Sequence, residues 1–354
     1  MPDDPEILTE ERGRLGLITL NRPEALNALT LAMVRAMRAA LDRWAKAPAI
    51  DAVVVCGAGN KAFCAGGDIQ TIYHQKQAGR AQEAMIFWAE EYDLNRVIKR
   101  YPKPYLALID GIVMGGGVGI SIHGSHRVAG ERFQFAMPEV GIGFFPDVGM
   151  TYVLPRLPWR SGYWLALTGA RVGRGAACAL GLATHSVAAP RFEAVIEALA
   201  RGEEPHRVLT GEAVPAGEAP QLAQGGIMAQ SFAGETVEAI LAALDDAAAK
   251  GSAFAGEAAA ALRTKSPTSL KLTLAALRRG RALEFEEAMK LEYRICSRII
   301  GGHDLYEGIR AQLIDKDRNP RWQPDVLEGV TAEAVEAHFA SLGPDELVFR
   351  DAAS

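Results

Sequence analysis

Residues 105–124, YLALIDGIVMGGGVGISIHG, join a continuous apolar run to a glycine-rich turn. The run YLALIDG (105–111) is typical of a strand that is buried on both faces. MGGGVGI (114–120) then leads into GISIHG (119–124), which we predict to be helical. Free N–H groups at the start of such a helix suit an anion or a developing oxyanion. A tight strand–helix turn without a ligand is the alternative.

The same arrangement recurs towards the N-terminus. RLGLITL (14–20) alternates like a strand, and a helix is predicted from about Thr30. DAVVVCG (51–57) is a second buried apolar run, and the glycine-rich FCAGGDI (63–69) follows it and opens a helix at about Asp68. Strands that alternate with helices predict a layered α/β core.

Other glycine-rich sites are not supported by the spacing. Neither loop matches the dinucleotide-binding pattern G-x-G-x-x-G, and the chain contains no P-loop G-x-x-x-x-G-K-[ST]. The nucleophile elbow G-x-S-x-G is also absent.

Composition divides the chain into three segments. The α/β core is predicted over 1–200. The segment 201–230 contains GEEPHRVLTGEAVPAGEAPQLAQGG, which is rich in Gly, Pro and Glu and indicates a linker or irregular surface. Residues 231–354 are predicted to be a helical C-terminal region, because the sequence is rich in Ala and has helical periodicity to about residue 315.

The overall composition excludes several classes of function. The chain has 354 residues, 49% of them hydrophobic, and a net charge of −5. Nucleic acid is not an expected partner, because phosphate neutralisation needs clustered Lys and Arg and the one dense basic run, at 278–281, is typical of a solvated helix end. No apolar run reaches transmembrane length, and we expect no membrane association. The four cysteines form no CxxC pair, which indicates a reducing, cytoplasmic setting. With no HExxH either, we expect no metal site.

Two acids in AMPEVGIGFFPDVG (136–149) are the first candidates for chemistry. Glu139 and Asp147 have no Lys, Arg or His in that window. Apolar surroundings raise the pKa of a carboxyl, and a second acid nearby separates the two pKa values. Each acid has a structural alternative, since Glu139 follows Pro138 in a possible first helical turn and Asp147 can cap the helix VGMTYVL.

Glu91 is a third candidate, in a helix predicted over 82–100. Its spacing places it on one face with apolar residues. An acid on such a face points into a pocket, pairs with a buried base or contacts another subunit. The residues on that face are Phe87, Glu91, Leu94 and Ile98.

Several phrases resemble the crotonase (enoyl-CoA hydratase/isomerase) superfamily. Two phrases, with the last part of a third, resemble its 3-hydroxyisobutyryl-CoA hydrolase branch. The superfamily phrases are NRPEALNAL (21–29), AFCAGGDI (62–69), GIVMGGGVGIS (111–121) and FAMPEVGIGFFPDVG (135–149); those of the branch are EEYDLN (90–95), LIDKDRNPRWQP (313–324) and the FPDVG that follows MPE.

The resemblance implies the spiral crotonase core of repeated ββα turns. It implies that the backbone N–H groups of Gly67 and Gly116 hold the thioester oxygen. Glu139 would attack the carbonyl or activate water, and Asp147 would contact the 3-hydroxy group or the attacking water. Glu91 matches a glutamate that contacts substrate.

One departure separates the branches. Hydratases that resemble this fold carry Glu three residues after the middle glycine of GGG, where this chain has Gly119. The resemblance therefore implies hydrolysis of 3-hydroxyisobutyryl-CoA, a step of valine breakdown. CoA would enter as part of the substrate, and no other cofactor is expected. A hydratase or isomerase of the same fold and a non-catalytic acyl-CoA-binding subunit are the alternatives, and a homo-oligomer is possible in each case.

Overall fold

The computed structural model describes residues 5–350. Residues 1–4 and 351–354, which belong to the predicted segments 1–200 and 231–354, lie outside the described residues. In the described part, the strands form a six-stranded and a four-stranded sheet. In chain order they are β1 (Ile7–Arg12), β2 (Leu15–Leu20), β3 (Ala52–Gly57), β4 (Ala62–Cys64), β5 (Tyr105–Ile109), β6 (Ile112–Met114), β7 (His126–Ala129), β8 (Gln134–Ala136), β9 (Val172–Gly173) and β10 (His185–Ser186).

Helices make up most of the remaining regular structure. Those in residues 5–350 are α1 (Leu31–Lys46), α2 (Ile69–Gln77), α3 (Ala84–Lys99), α4 (Gly116–Ile122), α5 (Met150–Val153), α6 (Ser161–Thr168), α7 (Arg174–Leu180), α8 (Phe192–Ala200), α9 (Pro205–Gly211), α10 (Gly225–Ser231), α11 (Val237–Ala249), α12 (Ala253–Arg263), α13 (Pro267–Gly280), α14 (Phe285–Ile299), α15 (Asp304–Ile309) and α16 (Ala332–Ala337). None of these helices is long and apolar enough to cross a bilayer.

The chain passes repeatedly from one sheet to the other and then into a helix. The large sheet has the order β1-β2-β3-β5-β7-β10 and the small one β4-β6-β8-β9. In each of the consecutive pairs β3–β4, β5–β6 and β7–β8, the first strand lies in the large sheet and the second in the small one. They are followed by α2, by α4 and by the 3₁₀ helix Glu139–Ile142, respectively. This is the predicted spiral of ββα turns.

The central strands are apolar throughout because both faces of the large sheet are covered. In β3, Val53 and Val55 belong to the main core, whereas Val54 belongs to a second, smaller core. The second core lies between the sheet and α8, which adds Val195 and Leu199. A strand buried on both sides needs no polar alternation, which explains the run at 51–57.

The segment 201–230 is more regular than its composition indicates. It contains α9 and α10, which are separated by an extended stretch and the 3₁₀ helix Pro220–Gln224. Val208 and Leu209 of α9 are buried in the second core. Pro205 lies in the first turn of α9, and the Glu204 side chain accepts hydrogen bonds from the N–H groups of His206 and Arg207. Capping and a small apolar face thus make a helix out of a Gly/Pro-rich sequence.

The C-terminal helices pack against the core rather than standing apart. α14 contacts α3 and α5, and α15 contacts the 3₁₀ helix Glu139–Ile142. Ser266 caps α13 by accepting a hydrogen bond from the N–H of Ser269, as expected for a helix that starts with Pro267. The helical C-terminal region is therefore positioned to complete the site that begins in the spiral.

Candidate active site

Two glycine-rich turns lie side by side at the start of α4. Gly115 has φ 47°, a conformation that glycine adopts without strain, and α4 begins at the next residue. A Cβ atom on Gly116 would lie 3.3 Å from the backbone nitrogen of Gly67. Within residues 5–350, the N–H groups of Gly67 and Gly116 donate no hydrogen bond. The two donors that the sequence points to are therefore adjacent and available for an oxyanion.

Glu139 lies beside these turns. It is the first residue of the 3₁₀ helix Glu139–Ile142, so the alternative that it starts a helical turn is correct locally. Its side chain is buried nevertheless, and Glu139 Oε2 has no hydrogen-bond partner among the described residues. Burial, followed by the charge of Asp147, raises the pKa of Glu139 well above its usual range. A buried, unpaired carboxyl in this position is available for chemistry.

Asp147 is held by a phenol. Tyr92 Oη donates a 2.7 Å hydrogen bond to Asp147 Oδ2. Burial raises the pKa of Asp147 to about 7, although the Tyr92 hydrogen bond opposes that shift. The alternative that the Asp147 side chain caps the following helix does not hold. The N-cap residue of α5 is Gly149, which has no side chain that could accept a capping hydrogen bond. Only the Asp147 carbonyl oxygen is involved there, as acceptor from the N–H of Met150.

Glu91 points from α3 towards the start of α4. Glu91 Oε1 lies directly over Gly116, too close to the position that a Cβ atom would occupy, so a side chain at position 116 would displace the Glu91 carboxyl. Glu91 is 2% exposed, and its Oε1 has no hydrogen-bond partner in the part of the chain described. Burial, then the charges of Asp147 and Glu292, raise the pKa of Glu91. The alternative of an ion pair with a buried base is not found between residues 5 and 350.

All the predicted site residues line one cavity of about 660 Å³. The cavity opens between the two glycine-rich turns, the 3₁₀ helix Glu139–Ile142, and α15 with the π-helical turn Arg310–Ile314 that follows it. Apolar side chains make up much of the remaining wall. The predicted residues in this lining are Gly67, Glu91, Gly116, Glu139 and Asp147, and the apolar ones include Leu26, Phe87, Trp88, Ile142, Phe144, Leu305 and Leu313.

Three buried residues around Asp147 and its turn, behind the cavity lining, were missed at the sequence level: Tyr92, Glu292 and Cys296. Tyr92 directly follows Glu91 but belongs to another face of α3. Glu292 lies on the buried face of α14, where the same spacing argument as for Glu91 would have found it. The residues on that face include Met289, Glu292, Cys296 and Ile299.

Other polar residues near the site have structural partners. His123 Nε2 lies 2.7 Å from the Val148 carbonyl oxygen, and burial lowers its pKa to about 3. Burial raises the pKa of the Cys64 thiol to about 12, so the thiol is not a ready nucleophile. Lys271 lies away from this site, in the lining of another cavity, and forms a 2.8 Å salt bridge with Glu238. In the described part of the chain, no cluster of His, Cys, Asp and Glu has the geometry of a metal site.

Comparison with known proteins agrees with this geometry. A family model described as enoyl-CoA hydratase/isomerase matches residues 15–339. The chain belongs to this family. Among curated relatives in the family, "3-hydroxyisobutyryl-CoA hydrolase, mitochondrial" from Danio rerio is 44% identical over 97% of this chain and 91% of its own length. The protein of the same name from Homo sapiens is 43% identical, with the same two coverages.

Solved structures of family members share the whole fold. A structure described as a carnitinyl-CoA dehydratase from Mycobacterium thermoresistibile has a TM-score of 0.92 and 42% identity, over 98% of this chain and 99% of that chain. One described as an enoyl-CoA hydratase from Rhodobacter sphaeroides 2.4.1 has a TM-score of 0.91 and 42% identity, over 98% and 100%. The crotonase-like fold with a helical C-terminal region is thereby confirmed.

Proposed function

We propose that this protein hydrolyses a 3-hydroxyacyl-CoA thioester, 3-hydroxyisobutyryl-CoA first among them. The observation that carries the proposal is the pattern of acids around the cavity. Glu139 and Asp147 line it, whereas position 119 has neither an acid nor room for one. The curated relatives with 43–44% identity are named for this hydrolysis.

The missing room at position 119 argues against water addition. Gly119 is buried in α4, and a Cβ atom there would lie 2.7 Å from Val148 Cβ. The amide of Asn95 is the next neighbour, at 3.0–3.1 Å. Syn hydration of an enoyl-CoA uses two carboxylates around one water. The space that the second carboxylate would need, at position 119, is filled here by the side chains of Val148 and Asn95.

The proposed chemistry begins at the thioester oxygen. The N–H groups of Gly67 and Gly116 bind it and stabilise the negative charge that forms on it. In a protease, one such donor contributes about 2.7–4 kcal/mol to the transition state. The donors belong to rigid turns, so little reorganisation is needed when the charge develops.

Glu139 then acts in one of two ways. As nucleophile, its carboxylate forms a bond to the carbonyl carbon, the C–S bond breaks, and CoA leaves as thiol after taking up a proton. Water next cleaves the resulting anhydride and restores Glu139. As general base, Glu139 takes a proton from water while the water oxygen attacks the same carbon. Both routes release CoA and the hydroxy acid and need Glu139 in its ionised form.

Asp147 and Glu91 are assigned supporting roles. With Oδ2 bonded to Tyr92, the other oxygen of Asp147 is left for the 3-hydroxy group or the attacking water. Glu91, beside Gly116, is left for a substrate contact. CoA enters as part of the substrate, and no further cofactor is proposed. Of the two lysines at the start of α13, Lys265 and Lys271, we propose Lys265 for contact with a CoA phosphate, because Lys271 is paired with Glu238.

A hydratase or dehydratase is the second candidate, since both solved relatives are named so at 42% identity. A homo-oligomer and a cytoplasmic location stay predictions. The curated relatives are named mitochondrial, which makes the compartment an open part of the proposal.

Separate incubation of the purified protein with 3-hydroxyisobutyryl-CoA and with crotonyl-CoA tests the proposal. A colorimetric thiol reagent follows CoA release, and ultraviolet absorbance follows the enoyl group. We expect thiol release from the first substrate, at least about 10³-fold slower in Glu139→Gln and strongly reduced in Asp147→Asn.

Glu131→Gln is the matched control. Glu131 is exposed, lies outside the cavity lining, and accepts a hydrogen bond from the N–H of Ala189. It should keep full activity. Loss of enoyl absorbance without thiol release would make the protein a hydratase, and silence with both substrates would leave an acyl-CoA-binding subunit.

A further inference from the structure

The turn that carries Asp147 has an unfavourable backbone. Val148 has φ 53° and Gly149 has φ 83°, both in the left-handed region. A β-branched residue such as valine rarely adopts this conformation, and it persists only where the surroundings hold it. Several side chains from distant parts of the chain supply such contacts.

Glu292 of α14 holds the turn from one side. Its two carboxyl oxygens accept hydrogen bonds from the N–H of Gly149 at 2.7 Å, the N–H of Thr151 at 3.0 Å and the Thr151 hydroxyl. Glu292 is fully buried. Its carboxyl therefore does not face solvent. Glu292 is also absent from the cavity lining, so the contacts of its carboxyl belong to the turn.

Tyr92 of α3 holds the acid itself. It is fully buried, donates to Asp147 Oδ2, and has Cys296 Sγ at 3.0 Å on its other side. Because the tyrosine proton is used on Asp147, the Cys296 thiol is the donor in that second contact. His123 completes the arrangement, since its neutral ring donates to the carbonyl oxygen of Val148.

We propose that Tyr92 and Glu292 are positioning residues for Asp147 in the reaction. Tyr92 fixes the orientation of the carboxyl, and Glu292 fixes the backbone from which it projects. Neither side chain lines the cavity, so both act through Asp147 and not on substrate. This inference rests on the proposed function in its kinetic part and on geometry alone in its structural part.

The removal of the Tyr92 hydroxyl has a defined electrostatic consequence. A hydrogen bond to a carboxylate favours its ionised form, so the loss of this bond raises the pKa of Asp147 above about 7. Each process that depends on Asp147 ionisation then moves to higher pH. The titratable groups that face Asp147 from the surrounding elements are Glu91 and Tyr92 of α3, Glu139, and Glu292 and Cys296 of α14. His123, after α4, faces the neighbouring Val148 carbonyl oxygen.

Tyr92→Phe is the decisive variant, because it removes one oxygen atom and keeps the ring. Tyr105→Phe is its matched control. Tyr105 is equally buried and its hydroxyl donates at 2.8 Å to a backbone oxygen, that of Ile120. Two readouts are needed: the ¹³C titration of the Asp147 carboxyl in the ligand-free protein, assigned with Asp147→Asn, and kcat and KM for 3-hydroxyisobutyryl-CoA.

For Tyr92→Phe we expect the Asp147 titration to move up by about one pH unit. We expect kcat to fall about tenfold while KM changes less than about twofold. Tyr105→Phe should move neither quantity. A Tyr92→Phe protein that titrates and turns over like Tyr105→Phe overturns the role of Tyr92.

Glu292→Gln tests the second residue. The amide keeps one acceptor oxygen but turns an N–H towards donors that need an acceptor, so we expect kcat to fall about tenfold at nearly constant KM. A loss of stability with unchanged kcat would overturn the positioning role of Glu292. If the wild-type protein releases no thiol at all, the proposed function fails, whereas the ligand-free titration still decides on Tyr92.

Discussion

Glu91 on α3 and Glu292 on α14 look alike until their partners are compared. Both lie on the apolar face of a long helix, both are buried, and burial is the first cause of the raised pKa of each. Glu292 accepts three hydrogen bonds from residues 149 and 151. Glu91 Oε1, in contrast, has no partner among residues 5–350 and its side chain lines the cavity.

The difference teaches how to separate an acid of the site from an acid of the scaffold. Burial costs both carboxyls solvation, but only Glu292 recovers it through hydrogen bonds. The proposed partner of the unpaired Glu91 carboxyl is substrate or water. We therefore expect substitution of Glu91 to affect activity and substitution of Glu292 to affect the fold as well.

Glu292→Leu should show the largest effect on stability. The change leaves two N–H groups and one hydroxyl of the turn without an acceptor, each at a cost of about 1–3 kcal/mol. We expect the free energy of unfolding to fall by about 3 kcal/mol in urea denaturation at pH 7. Glu91→Leu is the control and should not destabilise the protein. Equal losses of unfolding free energy in the two variants would show that Glu91 and Glu292 contribute alike to stability, which would contradict the comparison.

Glu91→Gln should lower kcat/KM about 30-fold, equivalent to about 2 kcal/mol of transition-state stabilisation. The amide has nearly the same shape but lacks the charge and the full acceptor capacity that a substrate contact uses. Steady-state kinetics of thiol release provide the measurement, and Glu90→Gln on the same helix is the control, because Glu90 pairs at 2.7 Å with Arg35. Unchanged kinetics together with reduced stability would place Glu91 in the scaffold.

The pH dependence of stability sharpens the same comparison. The pKa of Glu292 is about 8 in the folded protein against an ordinary 4.5, and that of Asp147 is about 7 against 3.8. The folded state thus binds these protons more tightly than the unfolded state. The stabilisation that these two carboxyls give the folded state is complete below about pH 4 and is lost as the pH rises through 7 and 8.

In Glu292→Gln, the free energy of unfolding should fall less steeply between pH 6 and 7.5, because one titrating group is removed. The slope of unfolding free energy against pH should change by about 1.4 kcal/mol per pH unit. Urea denaturation of both proteins across that range measures it. Parallel curves would mean that Glu292 does not titrate there.

Thr151→Val should give the smallest effect. It removes one hydroxyl donor from Glu292 and keeps the two N–H donors and the side-chain shape. We expect a loss of about 1 kcal/mol in the free energy of unfolding. Thr168→Val is the control for loss of a buried threonine hydroxyl away from Glu292, since this hydroxyl donates to the Trp164 carbonyl and accepts from the N–H of Ala170. A loss as large as that of Glu292→Leu would mean that the hydroxyl alone carries the interaction.

The candidate site was predictable where its residues are close in sequence to glycine or to each other. Gly67, Gly116, Glu139 and Asp147 belong to distinctive phrases, and the structure brings them to one cavity. Their catalytic roles stay predictions. The spacing on α14 marks Glu292 as a buried acid, but its contact with the turn and that of Tyr92 with Asp147 span 143 and 55 positions, so the partners of both residues leave no local pattern.

The fold was predictable at the level of its long elements. β2, β3, β5, α1 and α3 follow from apolar periodicity. The small sheet does not, because β4, β6 and β8 have three residues each, too few for a period to be recognised. The helix α9 escaped for a different reason, since its two buried residues are hidden among Gly, Pro and Glu and its cap is a glutamate.

The contacts of Glu292 also concern the order in which the protein is made. The turn at 147–151 is synthesised long before α14, which supplies its acceptor. On the ribosome, this turn is therefore without the acceptor that it has in the folded protein until residue 292 leaves the exit tunnel. A chain that ended before α14 would contain all five predicted site residues but would lack the carboxylate that accepts hydrogen bonds from the turn after Asp147.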